Sequence, residues 1–334
     1  MKAVVLAGGK GTRLRPITLD RPKPLVPVLN KPILDRIIEK LPCEVDEVLL
    51  ACNFQKQKIE NYYSGKEMCV RVIDEPEPLG TGGAVKNLEN HLDEDFLVFN
   101  GDILFSLDIE EFIEFHKQSD GIGTLSLWQV DDPTRFGIIE TDERGSVSRF
   151  KEKPSSSEVF SDWINAGMYA YTPQIFDYIS SGERVSMEHE VFPRIIEDLF
   201  GYKFRGHWID IGTPTSYLEA HQLLIDEEER GGERIGGNSE INGSIDQKTS
   251  LGRAVKIGDG AEVKNSVILD NTTVEEGAVL KNALVGSNTR IQKNVQVEDA
   301  SIGDNCKIKP DLEVKDGLRV WNQTEVTEKY LREV

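Results

Sequence analysis

The sequence predicts an α/β domain built on a mixed, mainly parallel sheet, followed by a β-solenoid with 17-residue coils. Three observations carry this. Short apolar runs alternate with amphipathic stretches over residues 1–230. Branched aliphatic residues recur with a fixed period over 251–318. A glycine-rich segment follows the first apolar run directly.

The apolar runs predict strands at Lys2–Ala7, Glu47–Cys52, Val70–Asp74, Phe96–Asn100, Gly123–Val130 and Ile164–Tyr171. Between them, helical periodicity marks Ile33–Leu41, Gln55–Tyr63, Gly82–His91 and Ile109–His116. Strands alternating with helices imply βαβ units and a sheet covered on both faces. Ligands of such sheets sit beyond the carboxyl ends of the strands, which directs attention to the loops after Ala7 and Phe99. The acidic stretch Asp226–Arg230 and then Gly231-Gly232 close this half, so the first domain is read as 1–230.

The repeats follow. Blocks of 17 begin at Leu251, Ile268, Val285 and Ile302; their seventh positions are Ile257, Val274, Ile291 and Ile308, and their thirteenth Val263, Leu280, Val297 and Val314. All twelve are aliphatic at 6 + 6 + 5 spacing, so each coil has three short sides with one inward side chain apiece. Asn271, Asn288 and Asn305 recur at the fourth position, where a corner favours a residue tolerant of the left-handed conformation. The solenoid is read as 231–323 with an imperfect first coil at 235–250, and 324–334 as a helical cap. Period alone leaves the coil's hand open.

Thirty-nine Lys and Arg against 58 Asp and Glu give a net charge of −19. That argues against wrapping a nucleic-acid backbone or lying on an anionic membrane, both of which need a basic face. No apolar run approaches the roughly 20 residues of a membrane span, and the opening MKAVVLAGGKG lacks a cleavable-signal layout. Cys43, Cys52, Cys69 and Cys306 show no C-x-x-C spacing, which fits a reducing, cytoplasmic setting. His91 and His116 fall near helix ends and read as caps or exposed groups, Trp208 as core packing and Cys306 as a small buried residue.

An anionic ligand in so acidic a chain needs locally placed cations and backbone N–H groups. The opening strand runs into Leu6-Ala-Gly-Gly-Lys-Gly-Thr-Arg-Leu-Arg-Pro16, then Arg21-Pro-Lys-Pro-Leu25. Such glycines let N–H groups approach phosphate oxygens. Neither a dinucleotide fingerprint nor a P-loop fits: Leu14 stands where the first needs glycine, and no Ser or Thr follows a Gly-Lys as the second needs.

The pattern G-G-x-G-T-R-x-x-P followed by P-K-P resembles the sugar-1-phosphate nucleotidyltransferases. The resemblance continues through Gly80-Thr-Gly-Gly83, Asn100-Gly-Asp102, Phe136-Gly137, Phe150-Lys-Glu-Lys-Pro154, Ile164-Asn-Ala-Gly167, Ser186–Pro193 and Trp208-Ile-Asp-Ile-Gly212. The repeats are similar to the left-handed parallel β-helix of hexapeptide type that ends many members. The resemblance implies a Rossmann-like nucleotidyltransferase domain that binds a nucleoside triphosphate and a sugar-1-phosphate as small-molecule substrates. It assigns Leu6, Ala7, Gly8, Gly9, Gly11, Thr12, Glu75, Gly80 and Thr81 to the nucleotide, and Arg13 and Lys23 to the triphosphate charge. Lys153 would grip the sugar phosphate, Gly137, Glu152 and Asn165 the sugar, and Asp102 and Asp210 a Mg²⁺ ion. It gives Ser186 and Glu188 no role.

Relatives that use thymidylyl or uridylyl groups commonly carry Gln where Glu75 stands. An ionised carboxylate only accepts hydrogen bonds and matches the adjacent N1–H and N2 amino donors of guanine. The wording around Glu77–Thr81, Ile164–Tyr169 and Ser186–Pro193 also looks most like mannose-1-phosphate guanylyltransferases. The resemblance therefore favours GTP and mannose-1-phosphate, with a thymidylyl or uridylyl transferase of glucose-1-phosphate as the alternative. A non-catalytic regulatory homologue is the alternative of another class; the presence of the phosphate and metal residues Arg13, Lys23, Asp102, Lys153 and Asp210 argues against it. Acyl transfer, which hexad solenoids also support, would use a coil histidine, but His91, His116, His189, His207 and His221 all precede the repeats. A homo-oligomer is expected from the solenoid's flanks and end coils.

Overall fold

A computed structural model describes residues 1–66, 69–75, 77–227 and 234–333. The end of the acidic stretch with Gly231-Gly232, Pro76 beside Glu75, and Val334 of the expected cap lie outside the described residues. The chain gathers into two compact units, Met1–Gly9 with Arg36–Trp208, and Lys10–Asp35 with Ile209–Val334. Lys10–Asp35, early in the sequence, belongs to the unit that contains the repeats.

The first unit holds strands β1 (Lys2–Leu6), β2 (Glu47–Cys52), β3 (Val70–Asp74), β4 (Phe96–Asn100), β5 (Gly123–Gln129), β6 (Gly137–Thr141), β7 (Val147–Glu152), β8 (Trp163–Tyr171) and β9 (Leu199–Lys203). Among the described residues these nine form one sheet in the order β7-β6-β8-β4-β1-β2-β3, with β5 also on β8 and β9 beyond β5. Strands β4, β1, β2 and β3 are mutually parallel, while β8 runs antiparallel to β4, β5 and β6. Ala3-Val-Val5 and all of β2 are buried without alternation, as a sheet covered on both faces requires. Helices α1 (Lys56–Tyr63), α2 (Gly80–Lys86) and α3 (Ile109–Gln118) lie in this unit. The helix expected at Ile33–Leu41 ends at Ile38.

Asp108 caps α3 by accepting from the Glu111 N–H, and Phe112, Ile113 and His116 form its buried face. His116 is therefore neither a cap nor exposed. It is buried with Nδ1 2.9 Å from Thr124 Oγ1, and burial pulls its pKa down.

In the second unit the repeats stack as three parallel ladders, one per coil side. The twelve aliphatic positions are at most 1% exposed. Each corner carries a left-handed residue: Asn271, Asn288 and Asn305 as expected, but also Asn265, Asn282 and Asp299, and Gly260, Gly277, Asn294 and Asp311. Asparagine amides stack along one corner, Asn265 Nδ2 donating to Asn282 Oδ1 at 2.7 Å and Asn282 Nδ2 to Asp299 Oδ1 at 2.8 Å. The last coil is one residue longer, pairing Ile302 with Val320; Gly317, at φ +77°, takes up the addition. Glu325–Val326 pairs with Lys307–Ile308 as another strand, so the helical cap, α5 (Glu328–Glu333), begins later than Thr324. Helix α4 (Pro214–Glu227) precedes the solenoid.

Candidate active site

The four mutually parallel strands of the first unit end together. Leu6 lies level with Ala51 and Asn100, and Cys52 with Asp74, so Ala7–Gly9, Glu75 and Gly101-Asp102 leave the sheet along one edge. A cavity of about 380 Å³ opens there, lined among others by Leu6, Gly8, Gly9, Glu75, Gly80, Thr81, Asn100 and Asp102. This is the carboxyl edge where ligands of such sheets bind. Ala7 does not line it; its N–H prolongs the ladder to Ala51 O at 2.8 Å.

Gly8 and Glu75 explain each other. A Cβ at position 8 would stand 2.7 Å from Glu75 Oε2, so glycine leaves the carboxylate its place. Glu75 is only 4% exposed. Burial pushes its pKa up, and the Leu79 N–H pulls it part of the way back. Asn53 Nδ2 fixes the backbone by donating to Glu75 O at 2.5 Å.

The Gly80-Thr-Gly-Gly83 turn starts α2 against residues 183–188. Gly80 has φ +74°, and a Cβ there would be 2.5 Å from Val185 O. That carbonyl accepts from the N–H groups of Gly82 at 2.9 Å and Gly83 at 3.2 Å. Thr81 Oγ1 donates to Glu188 Oε2 at 2.7 Å and accepts from the Met187 N–H at 2.9 Å. Ser186 Oγ also donates to Glu188 Oε2, at 2.7 Å. Ser186 and Glu188 thus brace the cavity wall, a role the sequence did not reveal, and the Thr81 hydroxyl is committed to the same brace.

The residues expected around the sugar phosphate come together in the same unit. Gly137 and Glu152 are cross-strand partners on β6 and β7, and a Cβ at Gly137 would meet Glu152 Oε2 at 2.7 Å. Lys153 Nζ is 3.2 Å from Glu152 Oε1. Lys153 holds φ +43°, a strained value for a non-glycine residue, with its N–H donating to Phe136 O at 3.0 Å. Asn165 sits where β8 shifts register; its amide donates to Tyr169 Oη at 2.9 Å and accepts from the Gly167 N–H at 3.1 Å. Trp208 packs edge-on to Phe136 and donates from Nε1 to Ala166 O at 2.8 Å.

The second unit holds the other charged candidates. Gly11, at φ +59°, turns the chain into the short helix Thr12–Leu14, and Thr18 Oγ1 closes the turn on Gly11 O at 2.7 Å. Arg13 Nη2 lies 3.7 Å and Lys23 Nζ 4.0 Å from the Asp210 carboxylate. Pro214 in the first turn of α4 and the mutual capping of Thr213 and Ser216 start that helix just after Asp210. Gly212 leaves space for Arg13: a Cβ would stand 2.8 Å from Nη2. The Arg13 side chain is 61% exposed, and such a pair adds only about 0–1 kcal/mol to stability. Arg13 and Lys23 thus bring two cations to one carboxylate in a chain of net charge −19.

For a metal, the carboxylate oxygens of Asp102 and of Asp210, each taken by itself, are donors suited to a hard cation. Among the described residues no three His, Cys, Asp or Glu side chains cluster. Single carboxylates such as Asp102 and Asp210 suit Mg²⁺, which takes most of its shell from phosphate oxygens and water.

Fold and side-chain clusters together define an α/β enzyme of phosphorylated substrates that carries a parallel β-helix. Residues 2–227 match the nucleotidyl transferase family model, and 235–334 the GMPPB C-terminal domain. The chain belongs to the nucleotidyl transferase family, and the resemblance to sugar-1-phosphate nucleotidyltransferases is borne out. It is 33% identical over 292 residues to the mannose-1-phosphate guanylyltransferase of Mycobacterium tuberculosis, covering 82% of this chain and 81% of that protein. It is 35% identical over 267 residues to the bifunctional protein GlmU of Methanocaldococcus jannaschii, covering 78% of this chain but 61% of that longer protein. The crystal structure of HddC from Yersinia pseudotuberculosis complexed with GMP-PN superposes with a TM-score of 0.56 at 29% identity, covering 67% of this chain and 99% of that one. No helix among the described residues is long and apolar enough to cross a membrane.

Proposed function

We propose that this nucleotidyltransferase joins GTP and mannose-1-phosphate to form GDP-mannose and pyrophosphate. The observation that carries the reading is the buried Glu75 carboxylate beside Gly8 in the cavity at the carboxyl edge of the sheet. A carboxylate kept from water is short of donors, and guanine supplies two adjacent ones, N1–H and the N2 amino group. The name of the Mycobacterium relative and the guanosine nucleotide bound to HddC support the same base and, for the former, the same sugar.

In this reading an oxygen of the sugar phosphate attacks the α-phosphorus in line. The new O–P bond forms as the bridge to the β-phosphate breaks, and pyrophosphate leaves with the electron pair. The attacking phosphate is already ionised at neutral pH, so no general base is needed. Catalysis rests on positioning and charge neutralisation. Leu6, Gly8, Gly9, Gly11 and Thr12 present backbone to the nucleotide, Ala7 fixes that loop to the sheet rather than touching it, and Gly80 and Thr81 shape its wall. Arg13 and Lys23 neutralise the triphosphate and Lys153 the sugar phosphate; Gly137, Glu152 and Asn165 take the sugar. Asp102 and Asp210 would hold Mg²⁺, which supplies further neutralisation of phosphate charge when bound. All four cysteines are free thiols, which fits a cytoplasmic enzyme, and we assign it a homo-oligomeric state built on the solenoid.

Pyrophosphate release, measured with Mg²⁺ for GTP, dTTP, UTP, ATP and CTP against mannose-, glucose- and N-acetylglucosamine-1-phosphate, tests the proposal. GTP with mannose-1-phosphate should give the highest kcat/KM. Preference for dTTP or UTP with glucose-1-phosphate would replace it with the thymidylyl or uridylyl reading. No release with any pair would point to a regulatory homologue.

A further inference from the structure

The loop that carries Lys23 is fastened to the solenoid by a polar network within the second unit. Arg21 Nη2 donates to Ser287 Oγ at 3.1 Å and lies 3.6 Å from Asp304 Oδ2. Ser287 and Asp304 occupy the same third position of successive coils, one above the other. Asp304 is only 7% exposed, and its Oδ1 accepts from the Ser287 N–H at 2.7 Å. Its own N–H donates to Asn322 Oδ1 at 3.0 Å, and Asn322 Nδ2 donates to Asp20 Oδ2 at 2.6 Å. Glycines make room for these side chains: a Cβ at Gly286 would fall 2.5 Å from Asp304 Oδ1.

Arg21 is coupled stiffly to Lys23. Pro22 lies between them, and Pro24 follows in the tight helical turn Lys23–Leu25, so the backbone has little freedom to absorb a shift. Further along, Tyr217 of α4 donates to Pro27 O at 2.5 Å and Asn30 Nδ2 donates to Leu251 O at 2.9 Å. The segment is therefore pinned on both sides of Lys23 by the solenoid and the helix that precedes it.

We propose that Asp304, acting through Arg21, is a positioning residue for nucleotidyl transfer: the β-helix sets where the Lys23 ammonium meets the triphosphate. This rests on the role given to Lys23 above. Asp304→Asn keeps the side-chain shape and the acceptor for the Ser287 N–H while removing the charge that holds Arg21. It should lower kcat/KM for GTP by about 10- to 100-fold, the scale of a displacement near 1 Å. Asp311→Asn, at a different corner of the coil where the carboxylate accepts from Asn294 Nδ2 rather than facing Arg21, should leave kinetics unchanged while reporting any general loosening of the coils through Tm. Arg21→Gln, which leaves the coil untouched, should reproduce the loss should Asp304→Asn fold poorly.

The decisive readout is the cycle with Lys23→Met. If Asp304 works through Lys23, Asp304→Asn adds no further loss in the Lys23→Met background. An equal loss in that background, a loss matched by Asp311→Asn, or wild-type kinetics in both Asp304→Asn and Arg21→Gln would overturn the proposal. Failure of the underlying reading looks different: Lys23→Met would itself retain wild-type rates, removing Lys23 from the chemistry and this inference with it.

Discussion

In the proposed reading a single side chain, Glu75, sets the choice of base. Its carboxylate lies in the cavity with Gly8 cleared away beside it, and burial alone raises its pKa because the charge is poorly solvated. A ligand presenting two donors removes that deficit; one presenting a donor and an acceptor does not. Glu75→Gln should therefore lower kcat/KM for GTP relative to UTP and dTTP by about 1–3 kcal/mol, roughly 10- to 100-fold, the worth of a bidentate base contact. Competition assays with paired nucleotides read this ratio directly, and an unchanged ranking would remove Glu75 from base selection. The acidic residue was visible in the sequence, but its burial was not, because the glycine that makes room for it stands on a different strand's loop.

At the scale of elements, the wall of the cavity depends on α2 being held to residues 183–188. The glycines of Gly80-Thr-Gly-Gly83 were legible as a motif, yet their physical reason is the carbonyl of Val185, about a hundred positions along the chain. The same holds for Gly167, where a Cβ would lie 2.4 Å from Asn100 Nδ2. Local pattern identified such positions as special without identifying their partners, which long-range packing alone supplies. By contrast the solenoid was readable in detail, since each coil contacts only its neighbours and periodicity encodes those contacts. Even there, recurring asparagine marks one corner column clearly, while the other two mix residue types: Gly260, Gly277, Asn294 and Asp311 share one repeat position and Asn265, Asn282 and Asp299 another. Thr81→Val tests the brace. It deprives the Met187 N–H of its acceptor and Glu188 of a donor, so urea unfolding should show a loss of about 1–3 kcal/mol. The KM for the nucleotide should rise with it, and Thr81→Ser should restore both. Equal stability of the valine variant would show that the brace contributes nothing.

Across the whole molecule, sequence grammar and spatial grouping disagree, and the disagreement has a consequence for function. Composition divides the chain near residue 230, which makes 1–230 look like a self-sufficient catalytic domain. In space Lys10–Asp35 and Ile209–Val334 form one unit, and in the proposed reading Arg13, Lys23 and Asp210 would take their setting from the solenoid. Arg21, Asp20 and Asn30 all bond to coil residues that a shortened chain would lack. A chain ending at Glu227 keeps the core cluster on one face of the parallel sheet, Val4, Leu49, Phe96 and Val98 among its members, which is drawn from the first unit, and should therefore still show the far-ultraviolet circular dichroism of a folded α/β domain. Its kcat/KM should nevertheless fall by at least about 10³-fold, the loss seen when a charge-neutralising arginine is withdrawn from a phosphoryl-transfer site. Activity within roughly tenfold of the full chain, the factor equal to 1.4 kcal/mol, would show that the loop finds its active geometry without the coils. In that case the solenoid would serve assembly alone, and the cations would owe nothing to it.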